Sequence, residues 1–234
     1  MQSMNRDFWR QTDFFNPEKT PVSATVIGVG GIGSFTALAL GKLGIKSLVL
    51  VDPDVVEAHN VPNQLFRMND VEEAKVVAAA RLIKELTGIE EIKTWVMRFP
   101  PKDNPYPKDL ITTDLVVCGV DTMQGRKEIW ESGIRRNPGV KLFIDGRLGG
   151  QQLRILSVKD TVSTESIERY EQTIVPDETV PDLPCTARAI IDVGFLIASY
   201  ITRIVRRHFT GQPIPFETVA DVSFQLQDQL FEWE

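Results

Sequence analysis

Apolar and polar positions along the chain alternate between two periods. Residues 24–29 are nearly all apolar and read as a buried strand, and residues 34–43 then carry the spacing of a helix, with Gly44 placed to cap it. A second apolar run at 47–52 reads as another strand. Residues 71–87 repeat apolar side chains at helical spacing through Val76, Ala79, Ala80, Ile83 and Leu86, and 91–97 alternates as a third strand. Four prolines make 99–108 a loop. A fourth strand is expected over 114–120, a helix over 124–136 ending near Asn137 and Pro138, and strands at 142–145 and 152–158. An acidic, proline-bearing loop at 173–184 leads into a long helix at 186–208. A last strand falls near 216–224.

Fully apolar strands alternating with helices imply an α/β doubly wound, mainly parallel sheet, with added C-terminal strands and a long C-terminal helix. In such sheets ligands bind at the C-terminal strand ends, where strand order reverses. The fourth strand is expected beside the first, which places Asp121 across the crevice from the 28–33 turn. At 234 residues the chain is expected to form a single domain over 1–234, with an N-terminal arm at 1–20 and a crossover loop at 173–185.

Composition narrows the classes. The chain is 42% hydrophobic, enough for a sizeable core, and its formal net charge of −6 disfavours a general nucleic-acid binder. Two cysteines, Cys118 and Cys185, and two histidines, His59 and His208, give neither a disulfide framework nor a paired-cysteine zinc pattern, so no zinc is expected. The first residues do not read as a signal peptide. The apolar stretch at 189–205 carries Asp192 and Arg203 and is too short to span a bilayer, so no membrane association is expected and a cytoplasmic location is.

Gly28, Gly30 and Gly33 satisfy G-x-G-x-x-G between a strand and a helix, where glycine permits a tight turn and the helix start offers N–H donors to phosphate. Asp52, at the end of the second strand, is placed to accept from ribose hydroxyls. This much suits NAD(P) and ATP equally. The following residues separate them: Asp54 adds a second carboxylate, Lys75 opens the next helix, and Asp121 ends the fourth strand. A lysine against phosphate charge and a carboxylate for Mg²⁺ suit a triphosphate; a dinucleotide needs neither.

Five segments in order, GVGGIGS (28–34), LVDPDVVEAHNVPNQLF (50–66), EEAKV (72–76), CGVDTMQGR (118–126) and CTARAIIDVGFLIASYITRIV (185–205), resemble the ThiF/MoeB/HesA superfamily, relatives of ubiquitin-activating enzymes with a Rossmann-like fold. The resemblance implies an ATP·Mg²⁺-dependent adenylyltransferase that activates a carboxylate, commonly the C-terminus of a ubiquitin-like or sulfur-carrier protein, and works as a homodimer. It implies that Gly31 and its neighbours cradle phosphate and that Asp52 holds ribose. Asp54, Asn60, Asn63, Gln64 and Thr122 then shape the site, Lys75 contacts phosphate oxygens and Asp121 coordinates Mg²⁺. Arg10, in Trp9-Arg10-Gln11, resembles an arginine that reaches the triphosphate in trans, and Arg126 one that locks the loop after Asp121.

Asn63 stands where the family often has an arginine, and Arg67 is the nearest candidate to compensate. Cys185 resembles in position an acyl- or sulfur-accepting cysteine, against a plain role anchoring its loop. Cys118 reads as a small core residue, and Asp177, Glu178 and Asp182 as solvated loop charges. The alternatives are an NAD(P)-binding oxidoreductase and a non-catalytic scaffold for an active partner.

Overall fold

In the computed structural model, residues 7–101, 110–179 and 190–222 are described. A seven-stranded sheet runs in the order β3-β2-β1-β4-β5-β6-β7. The strands are β1 (Ser23–Ile27), β2 (Ser47–Val51), β3 (Ile92–Trp95), β4 (Leu115–Cys118), β5 (Leu142–Gly149), β6 (Gln152–Val158) and β7 (Glu217–Asp221). The first five are parallel; β6 and β7 add antiparallel. The adjacency of β4 and β1 expected from the sequence is present, with Ile27 opposite Cys118.

Strand residues alternate between two cores, as the pleat requires. Ala24, Val26, Leu48, Leu50, Leu115, Val117, Leu142 and Ile144 face the cluster covered by α1 (Gly33–Leu43), α2 (Lys75–Thr87) and α5 (Ile191–Phe209). Ile27, Val49, Val51, Val116, Cys118 and Phe143 face the cluster filled by Trp130, Ile134, Ile167 and Tyr170, contributed by α3 (Met123–Ile129), the π-helical turns that continue it (Trp130–Ile134) and α4 (Thr164–Glu171). A sheet covered on both faces explains why its central strands are apolar without interruption. Gly44, at φ 105°, caps α1 in the left-handed region, as the sequence implies.

Several boundaries differ from the sequence reading. Helix α2 starts only at Lys75, because Met68–Asp70 forms a separate 3₁₀ turn in which Asp70 accepts from the Arg67 backbone N–H. Strand β5 continues four residues past Asp145, because it pairs with β6 in a hairpin as far as Gly149. Helix α4 has no counterpart in the sequence reading; Ser163 caps it by accepting from the Ser166 N–H. The start expected for the long helix, at Thr186, and the end expected for the last strand, at Phe224, lie outside the described residues. No helix among them is long and apolar enough to cross a membrane.

Candidate nucleotide site

A cleft of about 430 Å³ opens at the C-terminal ends of β1, β2 and β4, where strand order reverses. Its floor is the turn between β1 and α1. Gly28 sits at φ 85°, and a side chain there would meet the Gly119 backbone at 2.8 Å; the two glycines let the β1 and β4 exits pass in contact. A side chain on Gly33 would strike the Gly28 carbonyl oxygen, so Gly33 serves close packing of helix on turn and does not line the cleft. Gly30 and Gly31 do line it, and no side chain caps α1. The positive end of that helix is left to the cleft.

Asp52 closes the turn from the β2 side. Its Oδ2 accepts from the Val29 N–H at 2.6 Å and its Oδ1 from the Asp54 N–H at 2.9 Å. Burial raises its carboxyl above the usual range, while those two hydrogen bonds and the charge of Lys75 pull the other way. Both oxygens keep lone pairs for further donors. Asp54 in turn fixes Lys75: its carbonyl accepts the Lys75 N–H and its Oδ2 the Lys75 ammonium, both at 2.9 Å. Gln64 completes this side, and its Oε1 is buried without a hydrogen bond among the described residues.

The opposite wall is the start of α3. Thr122 caps it, accepting from the Gly125 N–H at 3.1 Å. Asp121 is exposed in the cleft, as the strand order implies. Asp177, read from the sequence as a solvated charge, is exposed and also accepts the N–H groups of Met123 and Gln124 at 2.6 and 3.1 Å. Of the three helix starts beside the cleft, α3 is thus closed by Thr122 and Asp177, α2 has its first N–H taken by the Asp54 carbonyl, and α1 has no side-chain cap.

Behind α3 lies a buried ionic cluster. Asp145, fully buried, accepts from Arg126, from Arg147 and from the Tyr170 hydroxyl; Arg126 also donates to the Gly146 carbonyl, and Arg147 reaches Thr173. Arg126 therefore anchors α3 to β5, the locking role the resemblance implied. Burial, then the charge of Asp145, pushes the Cys118 thiol up to about 12, so it is an inert core residue, as its strand position suggested.

The cleft therefore brings together Gly28, Gly30, Gly31, Asp52, Asp54, Gln64, Lys75, Asp121 and Thr122. Other expected residues lie elsewhere. Asn60 is a buried turn cap that accepts the Glu57 N–H. Asn63 offers backbone near Gly31, and its side-chain oxygen is buried and unpaired among the described residues. Arg67 does not stand in for the missing arginine, because Asp70 and Glu85 hold its guanidinium. Arg10 is on an exposed 3₁₀ turn, Trp9–Gln11, and does not line the cleft of its own chain. Cys185 lies outside the described residues. Met97, Arg98 and Phe99 line the cleft without having been foreseen, because only the pairing of β3 with β2 brings them there.

The fold is shared with solved proteins. PaaA superposes with a TM-score of 0.67 at 20% identity, over 88% of this chain and 61% of that one. Escherichia coli MccB with MccA gives 0.66 at 14%, over 94% and 73%. Among sequence relatives, a ubiquitin-like modifier-activating enzyme 5 of Drosophila ananassae is 31% identical over 137 residues, covering 49% of this chain and 34% of its own. That of Caenorhabditis elegans is 27% identical over 224 residues, covering 87% and 52%. The chain thus spans a third to a half of these two relatives' length. The ThiF family profile matches residues 20–223, nearly the whole described sheet and its helices, and the chain belongs to the ThiF family.

Proposed function

We propose that this protein uses ATP to adenylate a carboxylate, and that the carboxylate belongs to the C-terminus of a ubiquitin-like or sulfur-carrier protein. The observation that carries this reading is the pairing of an uncapped α1 start with Lys75 and Asp121 around one cleft. Modifier-activating relatives and a fold neighbour solved with ATP support it.

The α1 start and Lys75 receive the phosphates, and Asp52 accepts from the ribose hydroxyls. The incoming carboxylate is ionised at neutral pH and needs no general base. Its oxygen bonds to the α-phosphorus, the bond from that phosphorus to the bridging oxygen breaks, and pyrophosphate leaves with the electron pair. The chain aligns the reactants and supplies charge.

An exposed carboxylate in the cleft with Lys75 and the 30–31 turn suits Mg²⁺, which usually binds one or two carboxylates together with substrate phosphates. Asp121 is the carboxylate placed to hold it. When bound, the ion would neutralise phosphate charge.

The same reading takes the chain as one adenylation unit working as a cytoplasmic homodimer, with Arg10 acting in trans on the partner's nucleotide and Cys185 either anchoring its loop or accepting the acyl group. The test is ATP–pyrophosphate exchange stimulated by a small protein ending in Gly-Gly. Exchange that disappears in Lys75→Ala and Asp121→Ala supports the reading. Full exchange in both variants, or tight NADH binding with no response to ATP·Mg²⁺, refutes it.

One observation favours a second reading, a non-catalytic scaffold: with Asn63 in place of an arginine and Arg67 engaged elsewhere, Lys75 is the one cation lining the phosphate side among the described residues. ATP binding without exchange, restored on adding an active relative, would favour it.

A further inference from the structure

The cleft does not end at Asp52. It continues past the β2 exit to Met97, Arg98 and Phe99 beyond β3, and to Gly125 and Ile129 on α3. With phosphates at the α1 start and ribose at Asp52, the strand order β3-β2-β1 sends a nucleobase outward over β3. That end is mostly apolar, walled by Met97, Phe99, Val120 and Ile129, and Arg98 is its charged side chain.

Arg98 is not loose. Its guanidinium donates to Glu128 of α3 at 2.7 Å, across the mouth of the cleft. Glu128 is itself held from the other side, its second oxygen accepting from the Gln124 side chain at 2.9 Å. A planar cation is thereby fixed at the rim of an apolar slot, with its charge balanced by a carboxylate. Such a group stacks on or donates to an aromatic ring, and its place after β3, two strands away from the β1–α1 turn that faces the phosphates, separates it from Lys75.

We propose that Arg98, positioned by Glu128, grips the nucleobase and is a determinant of nucleotide affinity distinct from the phosphate-binding set. This rests on the nucleotide reading above.

The test is calorimetric titration of the full chain with ATP and AMP, with tripolyphosphate as competitor. In Arg98→Ala, ATP and AMP affinities should fall by the same factor, about tenfold, while competition by tripolyphosphate is unchanged. Arg98 is 52% exposed, so the variant should melt as the parent does, which a thermal scan checks. Glu128→Gln should lower both affinities in the same direction by freeing the guanidinium. A loss for ATP and tripolyphosphate with AMP spared makes Arg98 a phosphate cation and overturns the proposal, as does unchanged affinity in Arg98→Ala. Wild-type protein that binds ATP while Arg98→Ala behaves identically removes this inference alone. Wild-type protein that binds neither nucleotide removes the adenylation reading and this inference together.

Discussion

Lys75 Nζ lies 2.9 Å from Asp54 Oδ2 in the cleft, and the lysine is only 10% exposed while its partner is 62% exposed. The buried member of the pair is the cation, and the carboxylate that satisfies it is the one open to exchange with solvent or ligand. Such a lysine can be handed from Asp54 to a phosphate oxygen with little reorganisation. Lys75→Ala should weaken ATP binding at least tenfold and AMP binding much less, as titration with each nucleotide would show. Equal losses for both would place Lys75 away from the β- and γ-phosphates.

The glycines separate stability from binding. Alanine at Gly28 meets the Gly119 backbone at a positive φ and should cost about 2 kcal/mol or more in thermal denaturation. Alanine at Gly30 meets nothing closer than the Gln64 side chain, at 3.9 Å, so it should melt within about 0.5 kcal/mol of the parent. On the proposed reading the same methyl projects where a phosphate approaches, and ATP affinity should fall. A Gly30→Ala protein that binds ATP normally would move the phosphates away from this turn.

The β1–α1–β2 unit was legible because its signals are local: the glycines, the Gly44 cap and Asp52 lie within one short stretch, and each needs only its neighbours to act. The placement of β4 beside β1 followed from the alternation of strands and helices, whereas the apolar spacing started α2 four residues early, because the separate turn at Met68–Asp70 does not show in it. What escaped depends on distant partners. Asp145 reads as a strand end until β6 pairs with the residues after it, and then becomes the buried hub of two arginines and Tyr170. Asp177 reads as a loop charge until α3 presents two backbone N–H groups to it. Asn60 lies within the nucleotide motif yet faces its own turn, because Glu57 needs an acceptor there.

The Asp145 hub carries a large stability prediction. Asp145→Ala leaves two nearly buried guanidinium groups without their counter-charge, and should cost about 3–5 kcal/mol. Tyr170→Phe removes one hydrogen bond and should cost about 1 kcal/mol. Urea titrations of both variants provide the comparison; similar midpoints for the two would mean that the charges in the hub are not dominant.

Asp177 ties the crossover segment to α3, two residues past Asp121. Asp177→Ala should speed amide hydrogen exchange at Met123 and Gln124 while leaving β4 protected, since the helix start loses an acceptor and the sheet does not. Unchanged exchange at those two amides would mean that the contact does not hold in solution.

Acid should expose a second fastening, at the N-terminal ends of the central strands β1, β4 and β5. Burial raises the Asp114 carboxyl, but Lys141 at 2.7 Å and the Ser23 N–H and hydroxyl at 3.0 and 2.9 Å outweigh it, so the net shift is downward from 3.8. A carboxylate lowered in the folded state binds fewer protons there than in the unfolded chain. Its contribution is therefore complete above the unfolded value and disappears as pH falls through the folded one. Lys141 is 62% exposed, so solvent weakens its share. Asp114→Ala should then cost about 1–2 kcal/mol at pH 7, and its deficit relative to the parent should shrink steadily below pH about 4. Denaturant midpoints measured from pH 7 to pH 3 decide it: a deficit independent of pH would mean that the loss does not come from the ionised Asp114 carboxylate and its contacts with Lys141 and Ser23.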